Sequence, residues 1–313
     1  MNPLPRIAVT LGDPAGIGPE VVAAAFREEG LRACARLVGI GPPALREATL
    51  GTSGHEWIDA EGPVSWELGK VQAECGAAAV DALRIGHRLA SEGEVDALVT
   101  APVNKAALHA AGTRVEGQTE LLSRWAGAER TGMLVVVDEL RVLLLTRHEP
   151  LVEAIGSITA ESVFEHLELL DATLKQLGLG SPRLALAGLN PHAGEGGLFG
   201  DEERVLLEPA VQRARKAGLE VAGPIAPDSV FVAARAGRYD GVLALYHDQA
   251  FIPLKLLSAN RGITVVAGLP YLRVSPVHGT AFDIAGKGQA SSENLVHAIA
   301  AAAGWSGPGG VRS

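Results

Sequence analysis

Residues 242–255 read VLALYHDQAFIPLK, an apolar run that ends abruptly in polar groups. Uninterrupted apolar residues from Val242 to Tyr246 are typical of a strand buried on both faces, as in a parallel sheet. In open α/β sheets ligands bind at the carboxyl ends of strands, so the polar groups that follow predict a functional site. These groups are His247, Asp248, Gln249 and, further on, Lys255. A single strand-end histidine more often bonds only to a neighbouring carbonyl.

The same pattern occurs twice more in the chain. The apolar run RVLLLTR at 141–147 delivers His148, and RLALAGL at 183–189 opens into NPHAGEGG, which contains His192. Three strand-end histidines suggest one convergent site. Imidazole suits zinc and other divalent metals, and three neutral histidines leave the charge of the cation available to polarise a ligand. Because the spacings are long, the sequence leaves open whether the three side chains meet.

Composition sets the class of protein. The chain has 313 residues, 47% hydrophobic and 20% charged, as expected for a folded protein large enough for two lobes. A net charge of -9 disfavours a nucleic-acid partner, since phosphate-backbone binding needs a basic face. Only two cysteines, Cys34 and Cys75, suggest a reducing compartment. With no signal peptide and no long apolar run, we expect a cytoplasmic protein without membrane contact.

Strands and helices alternate along the chain, which predicts an α/β fold with mostly parallel sheets. A strand at 7–11 leads through a Gly-rich loop into a helix opened by Pro19, and the loop matches neither dinucleotide nor P-loop fingerprints. Residues 133–147 predict a β-hairpin, so the sheet is mixed. A second hairpin is expected within 48–68. Pro209 should bend a helix expected over 201–217.

Five motifs together resemble those of the 4-hydroxythreonine-4-phosphate dehydrogenases, over nearly the whole chain. The motifs are LGDPAGIGPE (11–20), TAPVNK (100–105), GLNPHAGEGG (188–197), LYHDQ (245–249) and GLPYLRVSPVHGTAFDIAGKG (268–288). The resemblance implies two α/β/α lobes similar to those of isopropylmalate dehydrogenase, with a cleft between them. We expect residues 1–120 plus 275–313 in the first lobe and 121–274 in the second. The resemblance also implies a homodimer whose active sites use residues of both subunits.

The resemblance further implies a reaction. Such enzymes use NAD or NADP to oxidise 4-phosphohydroxy-L-threonine, and the 3-oxo acid then decarboxylates to 3-amino-2-oxopropyl phosphate in pyridoxal 5'-phosphate synthesis. A divalent cation (Zn, Mg or Co) is expected on the histidines already singled out: His148, His192 and His247. Asp248 is expected either to orient a ligand histidine or to accept a proton, and together with Lys255 it is a candidate catalytic residue.

The small phosphorylated four-carbon substrate is expected to contact Thr119, Lys255 and Arg273. Two further substrate positions depart from the family pattern: Gln118 stands where a histidine is usual, and Thr264 where an asparagine is usual. Oxidation of a phosphorylated threonate or erythronate is therefore an alternative. From the residues alone, a metal-dependent hydrolase or a binding protein without catalysis also stays open.

Overall fold

The computed structural model describes residues 3–257 and 261–306. Its strands are β1 (Arg6–Thr10), β2 (Arg36–Gly41), β3 (Glu56–Asp59), β4 (Ala97–Thr100), β5 (Gly132–Val137), β6 (Leu140–Leu144), β7 (Leu184–Ala187), β8 (Val221–Ile225), β9 (Gly241–Ala244), β10 (Ile263–Ala267) and β11 (Leu272–Pro276). Its α-helices are α1 (Gly18–Phe26), α2 (Glu29–Cys34), α3 (Arg46–Leu50), α4 (Ala73–Ser91), α5 (Lys105–Ala110), α6 (Gln118–Trp125), α7 (Leu151–Ser157), α8 (Ala160–Gln176), α9 (Glu208–Lys216), α10 (Pro227–Arg235), α11 (His247–Leu257) and α12 (Glu293–Ser306). The expected α/β fold is confirmed.

The chain divides into two compact units, Met1–Glu129 with Leu269–Ser313, and Arg130–Gly268. The boundaries expected from sequence, at 120 and 274, fall inside α6 and β11. A helix or a strand forms as one hydrogen-bonded piece, so the chain passes between units in the loops that flank these elements. The composition of those loops does not differ from that of the neighbouring segments, so the sequence contains no local signal for either boundary.

In the first unit the strand order is β3-β2-β1-β4-β11, and its pairs are parallel. One group of helices, α4 to α6, and a second, α1, α2 and α12, pack around this sheet. β3 pairs with β2 in parallel, so the hairpin expected within 48–68 is wrong. The reason is that α3 returns the chain across the sheet before β3 begins, and its short, weakly patterned sequence gave no helix signal.

In the second unit the order is β10-β5-β6-β9-β7-β8. The β5–β6 hairpin is antiparallel, as predicted, and turns at Asp138, whose φ is 50°. Alternate strand residues such as Val142 and Val242 pack against α10 and α11. On the other face Gly241 lies against Leu170 and Leu174 of α8. Helices therefore cover both faces, and the carboxyl edge of the strands stays open for a site.

The helix expected over 201–217 is interrupted, as predicted. Glu203–Leu207 is a π-helical turn, and α9 starts immediately afterwards with Pro209 in its first turn. Proline has no N–H and its ring crowds the preceding turn, so the wider turn removes the conflict. This irregular turn points the Glu203 side chain into the unit, where it is 4% exposed.

Candidate active site

Three neighbouring parallel strands of the second unit carry the predicted metal ligands. β6, β9 and β7 lie side by side and run in one direction, so their carboxyl ends share an edge. His148 follows β6, His247 opens α11 after β9, and His192 lies in the loop after β7. Sheet order therefore brings together residues that are far apart in sequence, at the place where α/β sheets bind ligands.

His148 and His247 form a pair, with ring centroids 5.4 Å apart. The Nδ1 atom of His247 lies 2.8 Å from Oδ1 of Asp248, so in the tautomer protonated at Nδ1 this carboxylate accepts the hydrogen bond. That arrangement leaves Nε2 with its lone pair, as metal coordination requires. A cavity of about 320 Å³ adjoins the pair and is lined by Arg147, His148, Glu149, Pro150, His247 and Asp248.

The third histidine is placed differently. The ring of His192 lies beside Phe199, with centroids 6.4 Å apart. Within residues 3–257 and 261–306, no group of three or more His, Cys, Asp or Glu side chains is close enough to hold a metal ion. The structure therefore brings two of the three predicted ligands together and sets the third on the same sheet edge.

One face of α11 continues the site. His247, Phe251 and Lys255 recur at intervals of four residues, which places them on one stripe of the helix. The rings of His247 and Phe251 stack with centroids 4.4 Å apart, and Nζ of Lys255 lies 5.8 Å from the Phe251 centroid. Lys255 is exposed, so it supplies a mobile cation two turns from the histidine pair.

The loop that carries His192 has an unusual backbone. Residues from His192 to Gly196 all have positive φ, between 42° and 77°, including the non-glycine residues. Such a run needs support from its surroundings. Glu203 provides it, because Oε1 accepts from the backbone N–H groups of Leu189 and Asn190 at 2.8 and 2.7 Å.

The same carboxylate also accepts from Nδ2 of Asn190 at 2.9 Å. Burial alone would raise the pKa of Glu203, but these hydrogen bonds outweigh it and hold the pKa below the usual value. A Cβ on Gly194 would approach Glu203 Oε2 to 2.8 Å, so the loop packs directly on this side chain. Sequence reasoning missed Glu203, because Asp201, Glu202 and Glu208 are acidic neighbours and only burial distinguishes it.

A second group of predicted residues lies in the first unit, around Arg273 of β11. Its guanidinium is buried, and Nη2 donates to Thr100 Oγ1 at 2.6 Å and to Gln118 Oε1 at 3.2 Å. The Gln118 amide donates in turn to the carbonyl of Ala101 at 3.0 Å. The Nε atom of Arg273 is buried with no hydrogen-bond partner. Burial lowers the pKa of Arg273 to about 10.

The guanidinium donates to neutral groups, and the attraction of Tyr271 and Glu120 does not offset its burial, so its remaining donors suit a carboxylate or phosphate. Thr119 lies next to Gln118 in the first turn of α6. The predicted contacts Gln118, Thr119 and Arg273 therefore come together in the first unit. Gln118 takes part through its amide, which fixes the guanidinium from one side.

The remaining predicted contact, Thr264, is not brought to the histidine edge of its own chain. It pairs with Val135, which is level with Val142 on β6 and Val242 on β9. Val142 is the middle residue of β6 and Val242 the second residue of β9, so Thr264 lies within the sheet and before the edge that carries the histidines. Thr264 is 7% exposed within the sheet. Thr264 as a substrate contact therefore stays a prediction.

The sequence profile of the pyridoxal phosphate biosynthetic protein PdxA matches residues 32–302. The chain belongs to this family. The resemblance stated from the five motifs is therefore confirmed, and with it the expectation of an oxidoreductase.

Relatives within the family carry two different names. A 4-hydroxythreonine-4-phosphate dehydrogenase of Geobacter metallireducens is 40% identical, with 96% of each chain covered. A D-threonate 4-phosphate dehydrogenase of Salmonella typhimurium is 41% identical over 94% of this chain and 96% of the relative. Both are equally similar to this chain, so overall identity does not choose between the two substrates.

Solved structures agree on the fold. The crystal structure of a 4-hydroxythreonine-4-phosphate dehydrogenase from Klebsiella pneumoniae superimposes with a TM-score of 0.89, at 38% identity, covering 97% of this chain and 100% of that one. A β-decarboxylating dehydrogenase from Thermococcus kodakarensis, 18% identical, shares the fold with a TM-score of 0.52 over 95% of this chain and 82% of that one. The expected relation to the isopropylmalate dehydrogenase type of fold is confirmed at this level.

Proposed function

We propose that the protein is a metal-dependent, NAD- or NADP-linked dehydrogenase in pyridoxal 5'-phosphate synthesis. Its substrate is 4-phosphohydroxy-L-threonine, whose C3 hydroxyl is oxidised to a ketone; the 3-oxo acid then decarboxylates to 3-amino-2-oxopropyl phosphate. The observation that carries the proposal is the placement of three histidines at the carboxyl ends of three adjacent parallel strands, in a chain of this family.

The residues fit a divalent cation, Zn, Mg or Co. Imidazole nitrogens are common ligands of such metals, and the Asp248 carboxylate on Nδ1 of His247 is the partner that a metal-bound histidine usually needs. His148, His192 and His247 would hold the ion. A bound cation supplies a Lewis acid that lowers the pKa of the substrate hydroxyl. Because the Asp248 carboxylate lies on Nδ1 of His247, we favour a role in orienting this histidine over a role in accepting a proton.

Substrate charge is met by two cations with different properties. Arg273, fixed by Thr100 and Gln118, presents a buried, preorganised guanidinium to a carboxylate or phosphate. Lys255 is exposed and flexible, so it neutralises a phosphate as a point charge. Thr119 contributes a hydroxyl beside Gln118. The buried guanidinium binds an anion most strongly where water is excluded.

The first unit also offers room for part of a nicotinamide cofactor. An apolar cavity of about 400 Å³ is lined by Trp66, Leu68, Val64, Leu45 and neighbouring residues. It includes Glu20, whose Oε1 is buried with no hydrogen-bond partner. An aromatic and aliphatic wall suits a purine ring, and the free carboxylate oxygen can accept from a ribose hydroxyl. We assign this cavity to the nucleoside end of NAD or NADP.

A homodimer with shared active sites is part of the proposal. Ile252 and Leu256 of α11 are 60% and 83% exposed, and Val232 of α10 is 69% exposed. These side chains line an apolar depression that also includes Asp248. A second copy covering this face would lie beside the histidine pair and could add residues to it. Leu256→Glu should shift the mass measured by light scattering from dimer to monomer. Val205→Glu should not, because Val205 is also an exposed apolar residue but lies outside this depression.

Cytoplasmic location is proposed on two observations. Cys34 and Cys75 are both free thiols, as expected in a reducing compartment. In the part of the chain that the structure describes, each helix is too short or too polar to span a bilayer.

The same chemistry on 4-phospho-D-threonate or 4-phospho-D-erythronate is the second candidate. Gln118 favours it, because this residue departs from the expected histidine and touches Arg273 directly. The proposal is tested by measuring the absorbance of the reduced nicotinamide that forms with 4-phosphohydroxy-L-threonine, 4-phospho-D-threonate or 4-phospho-D-erythronate. Turnover of the amino acid, abolished by a chelator and by His247→Ala, supports the first candidate. Turnover of a sugar acid alone supports the second, and no turnover of any contradicts both.

A further inference from the structure

Buried polar side chains connect the three strand ends that carry the histidines. The first link joins β6 to β9. Thr146, two residues before His148, donates from Oγ1 to the carbonyl of Leu245 at 2.8 Å. Leu245 itself lies two residues before His247, and Thr146 is 7% exposed. Because water does not reach this hydrogen bond, no solvent molecule replaces it when it is lost.

The second link joins β9 to β7 through a single amide. Gln249 Oε1 accepts from the N–H of Leu245 at 2.7 Å, and its Nε2 donates to the carbonyl of Gly188 at 2.7 Å. The side chain is 7% exposed. Each of these backbone groups lies just past a strand, where the ladder no longer supplies a partner. Gln249 therefore sets the separation of the two strand ends.

The third link holds the loop after β7. Glu203 accepts from the backbone of Leu189 and Asn190 and from the Asn190 side chain, directly before the left-handed run that begins at His192. A left-handed run of this length is strained on its own. The buried carboxylate compensates by satisfying two backbone donors, while Asn190 Nδ2 also donates to Glu202 at 2.8 Å.

We propose that Thr146, Gln249 and Glu203 are positioning residues that fix the spacing of His148, His247 and His192 for the cation. The inference rests on the proposed function, because it assigns these residues a purpose at that metal site. Thr146 and Gln249 act through backbone groups, and Glu203 acts through backbone groups and the Asn190 side chain. Their effect should therefore appear first in metal affinity, since outer contacts set the geometry of ligand side chains.

Isothermal titration of the metal-stripped, full-length protein with Zn²⁺ alone tests this inference. Gln249→Met keeps the shape of the side chain but leaves the Leu245 N–H and the Gly188 carbonyl unpaired. We expect the substitution to raise the dissociation constant for Zn²⁺ by about tenfold or more. Gln212→Met, on the exposed face of α9, makes the same exchange outside the links and should leave the affinity unchanged.

Glu203 gives a graded series. Glu203→Ala should weaken Zn²⁺ binding by about tenfold or more. Glu203→Gln should recover part of the loss, because one oxygen suffices for the two backbone donors while the contact with Asn190 Nδ2 is lost. Glu208→Ala, exposed at the start of α9, is the matched control. Titration with Co²⁺ adds a second readout, since its visible absorption reports ligand geometry at the ion independently of activity.

Thermal unfolding followed by circular dichroism shows whether each variant is folded, and Thr146→Val, which changes one hydroxyl, replaces any that is not. Weaker binding and an altered Co²⁺ spectrum in the link variants, with both controls unchanged, support the inference. Unchanged affinity and spectrum in folded link variants overturn it and leave the metal site intact. Absence of Zn²⁺ binding in the unsubstituted protein overturns the proposed function itself.

Discussion

Replacement of Arg273 by methionine should stabilise the ligand-free protein while removing its response to substrate. Arg273 is 3% exposed, and its guanidinium donates to the neutral groups of Thr100 and Gln118. The attraction of Tyr271 and Glu120 does not offset the effect of burial on its pKa. Its Nε atom has no partner. Such a cation is placed for an anionic ligand, and it is costly when that ligand is absent.

The magnitude follows from the pKa of Arg273, which burial lowers from 12.5 to about 10. The difference corresponds to about 3 kcal/mol against the charged form in the folded state. This penalty is complete below the folded-state pKa, hence at neutral pH, and shrinks as pH rises above about 10. Loss of two hydrogen bonds costs about 1 kcal/mol each. We therefore expect Arg273→Met to raise the free energy of unfolding by about 1 kcal/mol.

Differential scanning calorimetry at neutral pH measures the effect. For a unit of this size, a gain of about 1 kcal/mol raises the unfolding temperature by about 2–4 °C. 4-Phosphohydroxy-L-threonine or 4-phospho-D-threonate should raise the unfolding temperature of the unsubstituted protein and not that of the variant. An Arg273→Met variant that unfolds several degrees lower and still responds to both ligands would contradict this prediction.

Arg141 provides the matched control for this experiment. It is also buried, at 7% exposure, but its Nη2 pairs with the Glu139 carboxylate at 3.2 Å and Nη1 bonds to the Glu139 carbonyl at 3.0 Å. Nε is unpartnered in both arginines, and Glu139 is 68% exposed, but Glu139 supplies Arg141 with a carboxylate and a carbonyl acceptor. Replacing Arg141 removes these hydrogen bonds without relieving an uncompensated charge. Arg141→Met should therefore lower the unfolding temperature, and an increase equal to that of Arg273→Met would show that the ligand site plays no part.

Three further outcomes are expected. Gly194→Ala should destabilise the second unit by more than Gly196→Ala in urea unfolding, because both have positive φ but only Gly194 would bring its Cβ against Glu203. The pKa of Glu203 is depressed, so its carboxylate stabilises the folded state fully above the usual carboxyl pKa range, and this stabilisation is lost as pH falls through the folded-state pKa. Glu203→Gln should therefore reduce the fall of the unfolding temperature in acid, and an unchanged fall would contradict this. Gln118→His should make kcat/KM fall as pH drops through the imidazole range, because an imidazolium beside Arg273 repels it, and Gln118→Asn should show no such step.

Local pattern was sufficient for most strands and for the order of the site motifs. The apolar runs ending near Tyr246, Arg147 and Leu189 became β9, β6 and β7, because strands buried on both faces need continuous apolar residues. The interrupted helix at Pro209 was equally readable, since the missing N–H acts within one turn. α3 and β3 were not, because a short amphipathic pattern at a sheet edge resembles a turn.

By itself the sequence determined the α/β fold, the family and the identity of the chemical groups: three histidines, a lysine and an arginine. Only the tertiary structure decided which of them share an edge. Strand order placed His148 beside His247, register set Thr264 level with the middle of β6, and burial lowered the pKa of the Arg273 guanidinium. Sheet order, register and burial arise from contacts between residues distant in the chain, and no local pattern encodes such contacts.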